Sequence, residues 1–504
     1  MTWKTKLITG AAALAFAWPG LAAADEATDA RIRALEEQLA TLQAQLADLK
    51  TSTASNIADV RKEATATTVS LANGRPTLAS ADGAFTASIR GVFQLDAARY
   101  DQAGAGPLGS DFRRGSLGDA GEADHARDLS DGANFRRARL GIEGKAFGAF
   151  DYNFLYDFGG SGTEEAGKIS AAWVQYGFPV AGLKLRIGAF SPPSGLDEAV
   201  STNGSLFVER ASPAETVRAI AAGDGRTSIA LLAGGDNWTG TAAITGNVIG
   251  TSSFDEQTAF VGRLTYAPLR RGDALVHVGV NTSIVINPAA SGPDVAGAPA
   301  ATNVRLRDRP EIRVDGARLI DTGNIDADGL TVWGGEFGAQ WKNLYVQTEY
   351  FDIKVDRKGA LGDADFSGWY AQGAWTITGE PRRYSAGTFD APRPARPFDL
   401  KKGQWGAWEL GLRYSRLDLN HLAGAPGTAP TAGAIRGGEQ EIWTLGLNWY
   451  VNNVLRFQAA YQDVSVDRLS PGGTAFGAGA LTPPAGAQVG QDFKIYSLRT
   501  QYAF

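Results

Sequence analysis

The C-terminal stretch Phe493–Phe504 alternates between apolar and polar residues with a period of two, as in a β-strand whose two faces meet different surroundings. One face is formed by Tyr496, Leu498, Thr500, Tyr502 and Phe504, and the other by Ser497, Arg499 and Gln501. An edge strand of a soluble sheet shows a similar alternation. Here, however, the polar face carries arginine and glutamine without an acid beside them, and the sequence closes on an aromatic residue. The pattern favours a membrane β-barrel, which is apolar outside and polar inside.

The same alternation recurs from Ala84 onward and predicts about sixteen strands, an even number as in single-chain bacterial barrels. The predicted strands are Ala84–Tyr100, Ala133–Phe147, Phe150–Phe158, Lys168–Phe178, Leu183–Phe190, Thr227–Ala233, Trp238–Asn247, Gln257–Ala267, Ala274–Ile286, Thr331–Trp341, Leu344–Arg357, Phe366–Ile377, Trp405–Leu417, Glu439–Tyr450, Asn453–Asp467 and Phe493–Phe504. Short and long connections alternate, so we expect the short ones at the periplasmic end. Thr378–Gln404 is the exception, because it is long, basic and on the short-turn side. The sequence therefore predicts an all-β fold, a single antiparallel transmembrane β-barrel of about sixteen strands.

Parity within each predicted strand separates lipid-facing from channel-facing side chains. In the second strand Ala138, Leu140 and Ile142 share the apolar face, so Arg137 and Arg139 point into the channel. The same alternation places further basic side chains inside, namely Arg90, Lys184, Arg186, Arg263, Arg413, Arg456 and Arg499. The simpler interpretation of such a wall is that its arginine and glutamate side chains pair and neutralise one another, without a role in transport. The excess of inward arginine over inward acid on the strands favours a pathway for anions.

The N-terminal region differs from the predicted barrel, which spans residues 73–504. Residues 1–24 have two lysines, an apolar run and Ala22-Ala23-Ala24, the pattern of a cleaved secretory signal. Residues 25–72 are predicted to form a short periplasmic coiled coil that fades into a linker over Thr51–Val69. Its apolar residues alternate at spacings of three and four: Ile32, Leu35, Leu39, Leu42, Leu46 and Leu49. A lone amphipathic helix that docks on a domain is the alternative.

Composition supports an exported channel without a cofactor. The chain has 63 glycines, 12 tryptophans and no cysteine, so disulfides do not hold it together. Its formal net charge of −6 argues against a nucleic-acid partner. His125, His277 and His421 are scattered, without a nucleophile nearby or the spacing of metal ligands, so we expect neither an enzyme nor a metal site.

Several short motifs occur in the order seen in a known family of porins. They are Phe135–Gly141 (FRRARLG), Arg186–Gly188, Pro193–Leu196, Glu209–Arg210, Arg309–Glu311, Glu349–Tyr350, Ser367–Tyr370 and Thr376–Glu380. From Asn73 to Phe504 the chain resembles the phosphate- and polyphosphate-selective porins of the Gram-negative outer membrane. The resemblance implies a sixteen-stranded barrel, a homotrimer, and a constriction formed by the third long loop folding inward beside a ladder of arginines.

The resemblance and the strand parity together predict the residues of the constriction and anion pathway. They are Arg90, Arg136, Arg137, Arg139, Lys168, Arg186, Glu198, Arg210 and Arg263. Glu198 stands where the phosphate channels of the family carry a lysine, and an acid in a narrow channel repels anions. We therefore expect a preference for anions that is weaker than that of the phosphate-specific relatives.

The function expected from the sequence is passive uptake of small solutes, chiefly anions, through a water-filled outer-membrane channel. The expected partners are two further copies of the chain, outer-membrane lipid and the solutes themselves. Two other functions stay open. One is a specific channel for an organic solute such as an aromatic acid or a sugar, and the other is a structural tether whose coiled coil grips the cell wall.

Overall fold

The computed structural model describes residues 26–65, 67–71, 74–104, 112–113, 129–160, 167–180, 182–250, 254–295, 300–472 and 483–504. The predicted signal peptide lies outside the described residues. The chain divides into two compact units, Met1–Thr67 and Thr68–Phe504.

The first unit is a single helix, α1, which spans Glu26–Thr65. All six residues of the predicted heptad seam are exposed, from 48% for Ile32 to 68% for Leu49. The prediction that the helix fades after Lys50 is wrong. Residues 51–65 contain neither glycine nor proline, and the Thr51 hydroxyl donates back to the Ala47 carbonyl at 2.9 Å, an arrangement compatible with a continuous helix. Among the described helices, none is both long and apolar enough to cross a bilayer.

The second unit is a closed barrel of sixteen strands, as predicted. In chain order the strands are β1 Thr86–Gln102, β2 Gly132–Ala146, β3 Phe150–Asp157, β4 Lys168–Gly177, β5 Lys184–Ala189, β6 Arg226–Gly234, β7 Trp238–Val248, β8 Thr258–Arg271, β9 Ala274–Asn287, β10 Ile325–Trp341, β11 Leu344–Arg357, β12 Ala364–Thr376, β13 Ala407–His421, β14 Ile435–Tyr450, β15 Leu455–Asp467 and β16 Phe493–Ala503. Each strand pairs antiparallel with the next, and β16 pairs with β1 from Phe493↔Gln102 to Ala503↔Val92. No edge is left unpaired in this ring, which a transmembrane sheet requires.

The two faces of the wall differ as the alternation predicts. In β16 the side chains of Tyr496, Leu498 and Tyr502 are exposed outside, whereas Arg499 and Gln501 are buried inside. Arg499 Nε and Nη2 donate to the two carboxylate oxygens of Asp96 on β1 at 2.5 and 2.6 Å. This bidentate pair joins the last strand to the first from the lumen side.

Three segments fold into the lumen between the strands. The inward loop, residues 190–225, connects β5 to β6 and contains two short helices, α2 Leu196–Ala199 and α3 Ser212–Ala221. The extracellular segment, residues 305–321, lies between β9 and β10 and contains the paired strands Arg307–Asp308 and Ile320–Asp321. The periplasmic hairpin, residues 383–390, pairs Arg383–Ser385 with Thr388–Asp390 and belongs to the long basic connection between β12 and β13.

The wall holds each of these segments by polar contacts. Glu349 of β11 accepts the backbone N–H groups of Leu196 and Asp197 at 2.7 and 2.9 Å, which anchors the start of α2. Arg263 of β8 donates to the Gly387 carbonyl at 2.8 Å and so holds the periplasmic hairpin. The inward loop thus reaches the opposite wall, as the family resemblance implies.

Candidate functional site

A β-bulge in β2 turns two consecutive arginines into the lumen. Gln94 pairs with Arg137 and Leu95 with Phe135, so Arg136 has no residue opposite it. Simple alternation would send Arg136 and Arg137 to opposite faces. The extra residue lets both side chains lie buried inside while Phe135 stays 53% exposed outside.

Glu209 of the inward loop forms ion pairs with several basic side chains next to the bulge in β2. Arg136 Nε donates to it at 2.8 Å and Arg499 Nη2 at 3.0 Å. Arg137 and Arg313 contribute further charge, each with a nitrogen within 3.9 Å of the carboxylate. Burial alone raises the pKa of Glu209, but these four arginines hold it well below its usual range. The carboxylate therefore stays ionised and ties the inward loop to β2 and β16.

A second network joins the wall to the end of the inward loop. Arg139 Nε donates to Asp157 at 2.6 Å, and its Nη2 contacts Asp224. Arg218 of α3 donates to the same Asp224 at 2.7 Å and to Glu215 at 3.2 Å. Burial raises the pKa of Asp224, but Arg139 and Arg218 lower it well below its usual range. This acid is therefore fully neutralised by two arginines.

Between these networks and the extracellular segment lies a cavity of about 230 Å³. Among the residues that the structure describes, ten basic and three acidic ones line it. The basic ones are Arg136, Arg137, Arg139, Lys168, Arg218, Arg226, Arg307, Arg309, Arg313 and Arg318, and the acidic ones are Glu215, Asp224 and Asp308. Basic groups therefore outnumber acids in the described lining, although Glu209 and Asp157 just behind it pair with Arg136 and Arg139.

Of the nine residues predicted for the pathway, the structure brings four together in this cavity: Arg136, Arg137, Arg139 and Lys168. That all nine residues line one pathway therefore stays a prediction. Strand parity identifies which side chains point inward but not the depth at which they lie or the loop that covers them. The other five lie elsewhere in the barrel.

Glu198 and Arg210 hold the inward loop together. Glu198 is 8% exposed and accepts from the Ser191 hydroxyl at 2.6 Å and from the Ser194 N–H at 3.1 Å. Arg210 is also 8% exposed and donates to three backbone carbonyls of residues 197–200 at 3.3 to 3.4 Å. Both are therefore positioning residues for the loop.

Arg263 and Arg90 lie towards the short-turn end, away from the cavity. Arg263 is buried against Glu336, with Nη2 and Oε2 2.8 Å apart, behind the periplasmic hairpin. Arg90 is half-buried and donates to Glu143 at 3.1 Å. Each is neutralised by a glutamate, as the simpler interpretation of inward arginines predicts.

Arg186 of β5 differs from these paired arginines. Its Nε and Nη2 donate to Gln175 Oε1 at 3.0 and 2.8 Å, and Gln175 in turn donates to Asp151 at 2.9 Å. The guanidinium lies over the Trp173 ring at 4.2 Å from its centre. Among the described residues, no carboxylate lies within ion-pair distance of Arg186. The side chain is thus held in one orientation while its charge is left without a direct counterion.

Sequence reasoning missed six basic residues of the cavity because they lie in the connecting segments or at the very start of a strand, where alternation gives no direction. They are Arg218 of α3, Arg226 at the start of β6, and Arg307, Arg309, Arg313 and Arg318 of the extracellular segment. The signal available was local composition, since five arginines fall within residues 305–313 and 318 in a stretch otherwise rich in apolar residues. No cluster of three or more potential metal ligands occurs in the part of the chain that the structure describes.

A sequence model of phosphate-selective porin O and P matches residues 102–504. The chain belongs to this porin family. The porin is 27% identical to Porin O of Pseudomonas aeruginosa over 329 residues, which cover 62% of this chain and 71% of that protein. It is 26% identical over 286 residues to an uncharacterized protein of Caulobacter vibrioides, covering 55% of this chain and about half, 52%, of that one.

Solved outer-membrane proteins match the porin at low sequence identity and with TM-scores below 0.5. In-vitro folded OmpT, an outer membrane protein of Vibrio cholerae in its trimer form, gives a TM-score of 0.45 at 10% identity, covering 84% of this chain and 100% of that one. The outer membrane channel DcaP of Acinetobacter baumannii gives 0.44 at 11% identity, covering 83% and 97%. Family membership and the closed barrel together confirm an outer-membrane porin channel.

The contacts of Glu198 predict that a lysine at this position destabilises the inward loop of the porin. Glu198→Lys removes the acceptor for Ser191 and Ser194 and brings a second cation to Arg218, whose Nε is 3.7 Å from the carboxylate. Losing two hydrogen bonds to a charged acceptor costs about 3 kcal/mol or more of unfolding free energy.

We expect Glu198→Lys to lower the thermal unfolding temperature of the detergent-solubilised porin, and Glu198→Gln, which keeps an acceptor, to lower it less. Glu256→Lys, at an exposed position of the β7–β8 connection, is the matched charge reversal. Equal stability of Glu198→Lys and wild type would show that the carboxylate does not support the loop.

Proposed function

We propose that this porin is an anion-preferring channel for small oxyanions of the phosphate type, and that the arginine-rich cavity beside the inward loop is its selective region. The observation that carries the proposal is the lining of the cavity, ten basic against three acidic residues. Two of the acids, Asp224 and Glu215, are each paired with Arg218 at a distance of 3.2 Å or less. The family name points to the same class of solute.

The chemistry of arginine accounts for passage through such a region. A guanidinium keeps its charge at physiological pH and offers five N–H donors that replace water around an oxyanion. Arginines at successive depths lower the desolvation barrier in steps, and no single one binds so tightly that the ion cannot leave. Arg186 provides a further step on β5, because Gln175 and Trp173 orient its guanidinium without a direct counterion.

The proposal is tested by neutralising three half-buried cations of the cavity, in the variant Lys168→Gln/Arg307→Gln/Arg318→Gln. A unit charge about 8 Å from the ion contributes about 0.5 kcal/mol in water, with opposite sign for anions and cations, so three together change the anion-to-cation permeability ratio on the order of a hundredfold at low salt. We expect reversal potentials in a salt gradient to show anion preference for the wild type and a loss of this size in the variant.

The matched control is Lys342→Gln/Lys354→Gln/Lys358→Gln, which removes three basic charges at or near the outer surface. We expect it to leave the permeability ratio unchanged. A wild type that prefers cations, or a cavity variant as selective as the control, would reject the cavity as the selective region.

A pH dependence follows from Asp308 of the extracellular segment, which is 7% exposed. Burial, and then the negative charge of Glu215, raise its pKa to about 7, while the Arg309 N–H and Arg313 oppose this shift. Below pH 7 the carboxyl is neutral, so the cavity gains one positive charge relative to its state at pH 8.

We therefore expect anion preference, measured by reversal potential, to rise as pH falls from 8 to 6. Asp308→Asn should abolish this step and match at pH 8 the selectivity that the wild type shows at pH 6. Asp363→Asn, at an exposed acid paired with Lys354, is the control and should keep the step. A step that survives in Asp308→Asn would assign the titration to another group.

We also propose that the porin is a homotrimer whose α1 helices associate in the periplasm. The six exposed seam residues of α1 support association, because one helix alone leaves this apolar stripe in water. Such a bundle could also reach the cell wall, so a tethering role is compatible with transport.

We expect Leu39→Glu/Leu46→Glu in the seam to lower the temperature at which the trimer dissociates. Deletion of residues 25–71 should lower it as well. In both variants the barrel should still assemble as a trimer. Ala40→Glu/Ala47→Glu adds the same charges at exposed positions off the seam and should have a smaller effect. Mass measurements in mild detergent decide the matter, and a monomeric full-length protein would contradict the assembly.

A further inference from the structure

The long connection between β12 and β13 leaves the lumen and turns back over the short-turn rim onto the outer wall. After the periplasmic hairpin, Pro392 and Pro394 are buried, and the chain then reaches Phe398. The Phe398 N–H donates to the Val451 carbonyl in the short turn between β14 and β15 at 2.8 Å. Its ring lies 5.3 Å from that of Trp449, a residue of the outer face. We call residues 393–405 the rim foot.

The rim foot is bound firmly to an aromatic cluster on the outer wall. Trp449 stacks on Trp408 and Phe457, with ring centres 5.4 and 5.5 Å apart. The indole N–H groups of Trp449 and Trp408 both donate to the Trp405 carbonyl, at 2.8 and 3.2 Å. These contacts place the foot at the level of the aromatic belt, where the apolar wall meets the headgroup layer.

The tip of the foot has a defined conformation. Asp399 caps the turn of 3₁₀ helix Leu400–Lys402 by accepting the Lys401 N–H at 3.0 Å. Gly403 adopts the left-handed conformation with φ of 64°, which allows Gln404 to pair back with Asp399. Because the tip is already ordered, a ligand that binds to it pays little conformational entropy.

This ordered tip exposes large apolar side chains beside basic ones. Leu400 is 68% exposed and Trp405 60% exposed. The exposed basic residues of the foot are Arg393, Arg396, Lys401 and Lys402. Lys402 lies 3.1 Å from Asp399. Within the described chain, the other three form no ion pair.

We propose that the rim foot binds anionic phospholipid of the periplasmic leaflet, with the four basic side chains on the phosphate-bearing headgroup and Leu400 and Trp405 in the interfacial layer. Charge and position both favour this partner. Short turns face the periplasm in bacterial barrels, so the basic groups lie at the depth of the phosphates of that leaflet. The apolar pair matches the acyl boundary just above, in the arrangement of an interfacial anchor. The proposal does not depend on which solute the channel passes.

The test is native mass spectrometry of the full-length porin in detergent with equal amounts of a phosphatidylglycerol and a phosphatidylcholine of the same acyl chains. Each basic residue near an anionic surface changes binding by about fivefold. We expect the wild type to retain phosphatidylglycerol preferentially, and Lys401→Gln/Lys402→Gln to reduce that preference at least about fivefold. Lys401→Arg/Lys402→Arg should restore it, and high salt should weaken it in the wild type.

Lys354→Gln/Lys358→Gln is the matched control, because it removes two basic groups near the opposite, long-loop end. It should leave the lipid preference unchanged. Equal retention of the two lipids by the wild type, or an equal loss in the control, would overturn the proposal. So would a change in the number of subunits in Lys401→Gln/Lys402→Gln, because the foot would then contact a second copy of the chain.

Discussion

The structure depends on hydrogen bonds inside the lumen of the barrel. They give partners to the backbone groups of the inward loop and to the charged side chains of the wall. The inward loop has little regular secondary structure, so its backbone groups need partners from the wall. Arg456 donates to the carbonyls of Ser205 and Leu206 at 2.8 and 3.2 Å, and Arg413 donates to that of Glu209 at 3.1 Å. A buried guanidinium can donate five hydrogen bonds, and unmet ones are costly. The arginines of the wall and the carbonyls of the loop therefore stabilise each other.

Inward arginines consequently have two different roles, structural ion pairing and lining of the basic cavity. The amino-acid composition does not distinguish these roles. Arg263 and Arg499 are paired with Glu336 and Asp96 and hold elements together. Around the cavity, by contrast, the wall and two loops converge so that basic groups outnumber acids. Ion pairing with an acid accounts for the first group, and the proposed anion pathway concerns the second, although Arg136 and Arg139 of that group also pair with acids. Which group an arginine joins depends on the loop that faces it.

The connection between β12 and β13 links the lumen to the outside of the barrel. Its periplasmic hairpin carries Phe389, which is fully buried and lies 4.9 Å from the Tyr345 ring, whereas Trp405 a short distance along the chain is exposed on the outer wall. Both ends are fixed by side-chain contacts. Its unusual length for the short-turn end thus has a structural reason, since one segment supplies both an internal support and an external surface.

The sequence by itself determined the barrel, the strand number and the inward or outward direction of most side chains, because a period of two follows directly from strand geometry and from the contrast between lipid and water. It also indicated the seam of α1, although not the length of that helix. Strand parity could not place Arg136 beside Arg137 inside, which only the family resemblance implied, and the tertiary structure supplied the reason, because a bulge depends on the register with β1. The roles of Glu198 and Arg210 within the loop, and the contribution of the extracellular segment to the cavity, were likewise settled by long-range contacts. Those contacts bring together residues that no local periodicity connects.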